Sequence, residues 1–336
     1  MNRRVLLTDI KKVTLVEEEK QVINENEVRV AIKAAGICGS DLHYFRHGGL
    51  GSHKQPLPMQ MGHEPAGVVV ESQSNHFNVG DRVAIEPSNP DLSDKWSLSG
   101  RHNLASGTFM GANASGCMTD EVVVHDSQCV SIPDNMSYGA ASLLEPVAVG
   151  FHAINRSRVS YQDSVTIFGC GPVGLCLLLC LKRIGVTDIY CVDPLQHRRD
   201  AALKLGASAV YDPTSHILPP KCSVVFDVCG TNLSLDLCVK TCDVGSKLVI
   251  IGIPETDSLE MNPHILRTRE VDLINIRRSD RTLHDSLKLF ENDSSELDFL
   301  VTHEYSLSEC QKAFDTACDY SDGVIKAILN PEKDRP

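Results

Sequence analysis

The chain has 336 residues, 42% hydrophobic and 23% charged, with a net charge of -12. That length supplies two cores of ordinary globular composition. The acidic balance argues against a general nucleic-acid binder, which presents a basic face, and gives no reason to expect an anionic membrane surface as partner. The longest apolar run, Val173 to Leu181, is half a membrane span. The early basic residues Arg3, Arg4, Lys11 and Lys12 flank no apolar signal core, so the expected location is cytoplasmic. The 13 cysteines contain no CxxC pair, and most are expected to be small buried hydrophobes.

In chain order, residues 1–147 read as mainly β. Val28–Lys33, Gly67–Glu71, Arg82–Glu86 and Glu121–His125 are β-branched runs, and pairs such as Gly80-Asp81 punctuate them as turns. Residues 148–276 change character. Strand candidates at Ser164–Phe168, Asp188–Val192, Val224–Val228 and Lys247–Ile251 alternate with helical stretches at Gly174–Ile184 and Arg198–Leu205. That alternation predicts βαβ units and a parallel sheet. From 277 the pattern is mixed again, with helices expected at Leu283–Phe290 and Ser308–Ala317 and a last strand at Gly323–Leu329. The fold class expected is therefore α/β plus a β-rich domain.

Two constellations carry chemistry. Cys38, in Gly36-Ile-Cys-Gly-Ser-Asp41, is followed by Gly62-His63-Glu64. A thiolate, an imidazole and a carboxylate are the side chains that hold a catalytic zinc. Adjacent His63 and Glu64 need an irregular backbone to face one ion, and Gly62 and Pro65 are consistent with that. Glu145, in Leu144-Glu-Pro146, could ligate directly or through a water at the domain junction. The second constellation is Gly169-Cys-Gly-Pro-Val-Gly174, between an expected strand and an expected helix. Gly169 permits the tight turn, Gly171 the approach of a pyrophosphate, and Gly174 close helix–strand packing. Asp193, ending the next strand, can accept from ribose hydroxyls and would repel a 2′-phosphate, so NAD is favoured over NADP. Arg198 and Arg199 weigh the other way. Zinc with nicotinamide points to interconversion of an alcohol and a carbonyl.

These residues resemble the zinc-containing medium-chain dehydrogenases, and among them the polyol branch of sorbitol and L-idonate 5-dehydrogenases. Carrying the resemblance are Gly36–Tyr44, Met61–Gly67, Val79–Pro87, Leu143–Gly150, the glycine motif and Arg269–Asp272. It implies a GroES-like catalytic domain over 1–147 and 277–336 around a Rossmann domain over 148–276. By position it implies Cys38, His63 and Glu64 as zinc ligands with Glu145 nearby, and Ser40 and His43 as a proton relay. Tyr44 and Arg278 fall at polyol-contacting positions. Val173, Asp193 and Arg198 fall at nucleotide positions, and Ile251, Gly252 and Ile253 on the nicotinamide side. The expected substrate is a small polyol or sugar acid, and the expected assembly a homodimer or homotetramer.

Two departures matter. Pro87–Ser106, where many relatives hold a structural zinc on four cysteines, has no cysteine, so one catalytic zinc and no structural zinc is expected. The branch usually has an aromatic on either side of its arginine, whereas this chain has Arg277-Arg278-Ser279. The added cation would suit an anionic substrate, or serve the surface or the cofactor. Against an enzyme stands a non-catalytic NAD-binding structural or sensor protein on the same scaffold. A zinc-free quinone reductase is a third reading, disfavoured by Cys38, His63 and Glu64.

Overall fold

The computed structural model describes residues 1–215 and 217–334. Two compact units partition the chain: Met1–Gly49, His53–Glu145 and Leu283–Pro336 form one, Leu50–Ser52 and Pro146–Thr282 the other. The main divisions fall after Glu145 and Thr282, compared with 147/148 and 276/277 read from the change of composition. No helix among the described residues is long and apolar enough to cross a membrane.

The first unit is built on a seven-stranded sheet. Glu27–Gly36 lies at its centre, buried along nearly its whole length. Antiparallel neighbours Glu64–Ser72 and Glu121–His125 flank it, and Arg82–Ile85 extends the sheet. The late strand Lys326–Leu329 adds antiparallel to Glu27–Gly36, with Ile328 opposite Gly36, and carries Val301–Tyr305 in parallel beside it. An amino-terminal hairpin, Asn2–Asp9 against Lys12–Glu18, turns at Lys11, which takes a left-handed φ of 58°. The cysteine-free segment forms a small lobe: strands Ser88–Pro90 and Gly107–Phe109 pair, and the helical turn Lys95–Leu98 lies between them. Asp94 draws the lobe together, accepting from Trp96 N at 2.8 Å, Ser106 N at 3.1 Å and Ser106 Oγ at 2.9 Å.

The second unit is a six-stranded, wholly parallel sheet. Its strand order is Ala209–Tyr211, Ile189–Val192, Val165–Phe168, Cys222–Asp227, Cys242–Ile250, Asp272–Asn275. Numbered along the chain, that is the 3-2-1-4-5-6 order of doubly wound dinucleotide-binding sheets. Val165–Phe168 is buried at every position, as a strand covered on both faces must be. One core cluster joins Phe168, Val192, Val225, Val239 and Leu248 to Cys222, Cys238 and Cys242. All 13 cysteines are free thiols and ten are buried, so most pack as small apolar side chains.

Candidate metal centre and dinucleotide loop

Cys38 ends the central strand's turn and N-caps helix Gly39–His47 in extended conformation. The third helical residue, Asp41, closes a capping box: its Oδ2 accepts from Cys38 N at 3.0 Å. Its Oδ1 accepts from Gly62 N at 3.3 Å and lies 3.7 Å from His63 Nδ1. One fully buried carboxylate therefore ties down the backbone at both halves of the split motif. Gly62 has φ 91°, and a Cβ there would come within 2.6 Å of Met118 Cγ. Past that turn, Glu64 is already the first residue of strand Glu64–Ser72, opposite Gly36. His63 and Glu64 thus straddle a turn–strand boundary, and this lets neighbouring side chains share one site.

The result is a group of three donors. Ligand atoms of Cys38, His63 and Glu64 all lie within 4.8 Å of one another. His63 and Glu64 are buried and Cys38 half-buried. Glu64 Oε1 is buried without a hydrogen-bond partner, while Oε2 forms an ion pair with Lys326. Lys326 Nζ also donates to Ile37 O at 3.0 Å. A Cβ at Gly36 would sit 1.9 Å from Glu64 Oε2, so only glycine leaves room for this pair. Burial, and then the Glu64 charge, push the Cys38 thiol up to about 12, with Lys326 opposing. Burial also raises Asp41, against the pull of His63. A cation among the three donors would offset the cost at Cys38, because it favours the thiolate, and would complete the orphaned Glu64 oxygen. The donor set fits zinc, which accepts sulfur, imidazole and carboxylate together.

The other expected residues fall as follows. Ser40 Oγ lies 3.5 Å from His63 Nε2, at the outer limit of a hydrogen bond. Ser40, His43 and Tyr44 lie at i, i+3 and i+4 of one helix, hence on one face; His43 is half-buried and Tyr44 buried. Glu145, at the start of helix Leu144–Ser157, is buried but outside the three-donor group. Burial raises its carboxyl well above the usual range; His63 counters this, and Glu64 and Cys38 add to it. Arg278 belongs to the second unit, half-buried with a left-handed φ of 58°. Asp41 and Lys326 received no role from the sequence. Asp41 stands in the quoted motif at capping-box spacing from Cys38, which was the available signal. Lys326 offered none.

In the second unit the glycine turn links strand Val165–Phe168 to helix Pro172–Arg183. Gly169 has φ 101°, and a Cβ at Gly174 would come within 1.9 Å of Gly169 O. Around Gly171 the nearest atom to a Cβ is Arg198 Nη1 at 3.7 Å, so that flank is open. Gly171 caps the helix with no side chain and Val173 is half-exposed, leaving first-turn N–H groups for an anion. Asp193 Oδ2 accepts from Cys170 N at 2.8 Å, joining the acid to the glycine turn. Across the sheet, Ile251 N and Gly252 N donate to Asp227 O at 2.8 and 3.0 Å. A Cβ at Gly252 would lie 2.2 Å from Gly230 N, so the turn holding Ile253 packs backbone to backbone on Cys229-Gly230. The buried Asp227 carboxylate accepts from Cys229 N and Gly230 N, a role the sequence did not reveal.

Comparison with known proteins agrees with both halves. The model of the alcohol dehydrogenase GroES-like domain matches residues 24–134, and that of the zinc-binding dehydrogenase matches residues 172–292. Sorbitol dehydrogenase of Bacillus subtilis is 30% identical over 324 residues, 93% of this chain and 92% of the relative. Sorbitol dehydrogenase of Bos taurus is 31% identical over 307 residues, 87% and 86% of the two chains. The crystal structure of L-idonate 5-dehydrogenase from Escherichia coli superposes with a TM-score of 0.90 at 26% identity, covering 98% of each chain. With a GroES-like unit, a Rossmann unit and these relatives, the chain belongs to the zinc-containing medium-chain dehydrogenases, in their polyol branch, and is an alcohol or polyol dehydrogenase.

Proposed function

We infer that the protein oxidises a secondary alcohol of a polyol or sugar acid, of sorbitol or L-idonate type, to a ketose or keto-acid with NAD. The observation that carries this reading is the three-donor group with its orphaned Glu64 oxygen. Cys38, His63 and Glu64 hold one zinc, with Glu145 close by, and no second, structural zinc is bound. Zinc supplies Lewis acidity toward the alcohol oxygen, and NAD is the hydride acceptor. The chain's residues do the rest. Asp41, 3.7 Å from His63 Nδ1, would orient the imidazole within the donor group. Ser40 and His43 carry the alcohol proton toward solvent, a transfer the oxidation requires. Tyr44 and Arg278 bind the substrate's hydroxyls, and Arg277 beside them suits a carboxylate. Gly169, Gly171, Val173 and Gly174 receive the pyrophosphate. Asp193 and Arg198 receive the adenosine ribose, and Ile251, Gly252 and Ile253 line the nicotinamide side.

The test is Cys38→Ser. It should lose bound zinc and turnover yet keep its affinity for NADH. Elemental analysis of the unmodified protein should return about one zinc per chain. Turnover unchanged in the variant would remove the mechanism. A screen of NAD reduction over polyols, sugar acids and simple alcohols fixes the substrate class. Activity on simple primary alcohols with sorbitol and L-idonate inert would overturn it.

A further inference from the structure

Two consecutive arginines stand beside Asp193, and the structure gives them different surroundings. Arg198 faces the glycine turn, with Nη1 4.0 Å from Asp193 Oδ2. Arg199 is drawn to the other side of the same residue. Its Nη1 donates to Asp193 O at 2.6 Å and its Nη2 to Gln196 Oε1 at 2.6 Å. Nη1 also lies 3.2 Å from Asp212 Oδ2. The topology explains the meeting: strands Ile189–Val192 and Ala209–Tyr211 are parallel neighbours, with Val192 opposite Tyr211. Asp193 and Asp212 therefore leave adjacent strands at the same carboxyl edge, where such sheets bind ligands. Asp212 is itself fixed: its Oδ1 accepts from Thr214 N at 2.9 Å and Thr214 Oγ1 at 2.7 Å. Its hydrogen bonds to Thr214, and then the charge of Arg199, hold its carboxyl below the usual range, so it is an anion at neutral pH.

A 2′-phosphate needs cations beside Asp193: Arg198 already lies 4.0 Å from the Asp193 carboxylate, and Arg199 is the second that the chain carries there. We propose that Asp212 is a cofactor-specificity residue, which confines Arg199 behind the ribose-binding turn and denies it to a 2′-phosphate. The inference rests on the reading of Asp193 as the ribose acceptor. Arg199 at once braces the Asp193 carbonyl and is neutralised by Asp212. Release of the arginine would therefore loosen the ribose site and offer a charge-assisted donor to the phosphorylated cofactor. Both effects move selectivity in one direction.

The experiment is calorimetric binding of ADP-ribose and 2′-phospho-ADP-ribose, which needs no turnover. For Asp212→Asn the affinity ratio should shift toward the phosphorylated ligand by at least about tenfold, the worth of one hydrogen bond to a charged group. Asp212→Glu should keep the native ratio, and Asp212→Asn combined with Arg199→Gln should lose the gain. A ratio for Asp212→Asn within about twofold of the unmodified protein, the scatter of uncoupled sites, would overturn the proposal. So would an equal gain in the double variant, since Arg199 would then play no part. If the unmodified protein binds the phosphorylated ligand more tightly, or neither ligand, the NAD reading falls and this inference with it. If it prefers ADP-ribose and only the variants behave otherwise than stated, the inference falls alone.

Discussion

Replacing Lys326 by methionine tests how the metal centre is held. Lys326 and Glu64 have side-chain exposures of 0% and 1%, so the pair belongs to the buried regime. Removing one partner there leaves an uncompensated charge and costs about 3–5 kcal/mol, against about 0–1 for an exposed pair. Methionine keeps the stem's packing, so the loss falls on Glu64 and on the Ile37 carbonyl, which gives up a 3.0 Å bond. For a unit of this size each kcal/mol moves the midpoint by about 2–4 °C, so the metal-free variant should melt roughly 10 °C lower. Zinc should recover much of that, because the metal takes over neutralisation of Glu64. The assay is thermal unfolding of both proteins with chelator and with zinc, joined by Glu64→Gln and the double variant. The double variant should be less destabilised than the two singles summed. An equal midpoint for Lys326→Met and the unmodified protein without metal, or a deficit that zinc leaves untouched, would refute the reasoning.

Asp41→Asn gives up the charge facing His63 and should weaken zinc binding by about 10–100-fold, read by competition with a chromogenic chelator; unchanged affinity would reject its positioning role. Glu145 makes the metal-free protein pH-dependent. Its folded-state carboxyl is raised above the ordinary 4.5, so its contribution is intact below that value and is lost as pH rises through the folded value. Urea midpoints of the metal-free protein should therefore fall as pH rises above about 4.5, with a shallower fall in Glu145→Gln; parallel curves for the two would contradict this. Gly174→Ala would set a Cβ 1.9 Å from Gly169 O, so the turn must open and NADH fluorescence titration should show binding lost; wild-type affinity would exclude the close packing described.

Much of this was legible where the information is local. The parallel strands expected from Ser164, Asp188 and Val224 begin at Val165, Ile189 and Cys222, within two residues, because a strand covered on both faces is an apolar run. The grouping of Cys38, His63 and Glu64 was legible because donor side chains stand there in short motifs with flanking glycines. The hairpin Asn2–Asp9 and Lys12–Glu18 is not among the strands expected from the sequence, since its runs mix charged and apolar residues without strict alternation. The last strand, expected from 323, begins at Lys326 because Ser321–Gly323 forms a helical turn with Gly323 at φ 74°. Lys326 itself could not be found by pattern. A lysine in Val-Ile-Lys-Ala-Ile resembles an edge-strand cation, and its meaning depends on Ile328 pairing with Gly36. Asp41 and Asp227 share that limit in milder form. Each binds backbone N–H groups, and backbone donors leave no trace in residue identity.

The late strand has a consequence for how the chain is made. Gly36 and Ile328, neighbours in the finished sheet, are separated by nearly the whole length of the polypeptide. Synthesis delivers Pro146–Thr282 entire while the first unit still waits for Lys326–Leu329. The nucleotide-binding unit can therefore close on the ribosome, and the metal-binding unit cannot. Until Lys326 arrives, Glu64 has no ammonium beside it. The Glu64 carboxylate can therefore be buried with its compensating ammonium only once that late strand has paired.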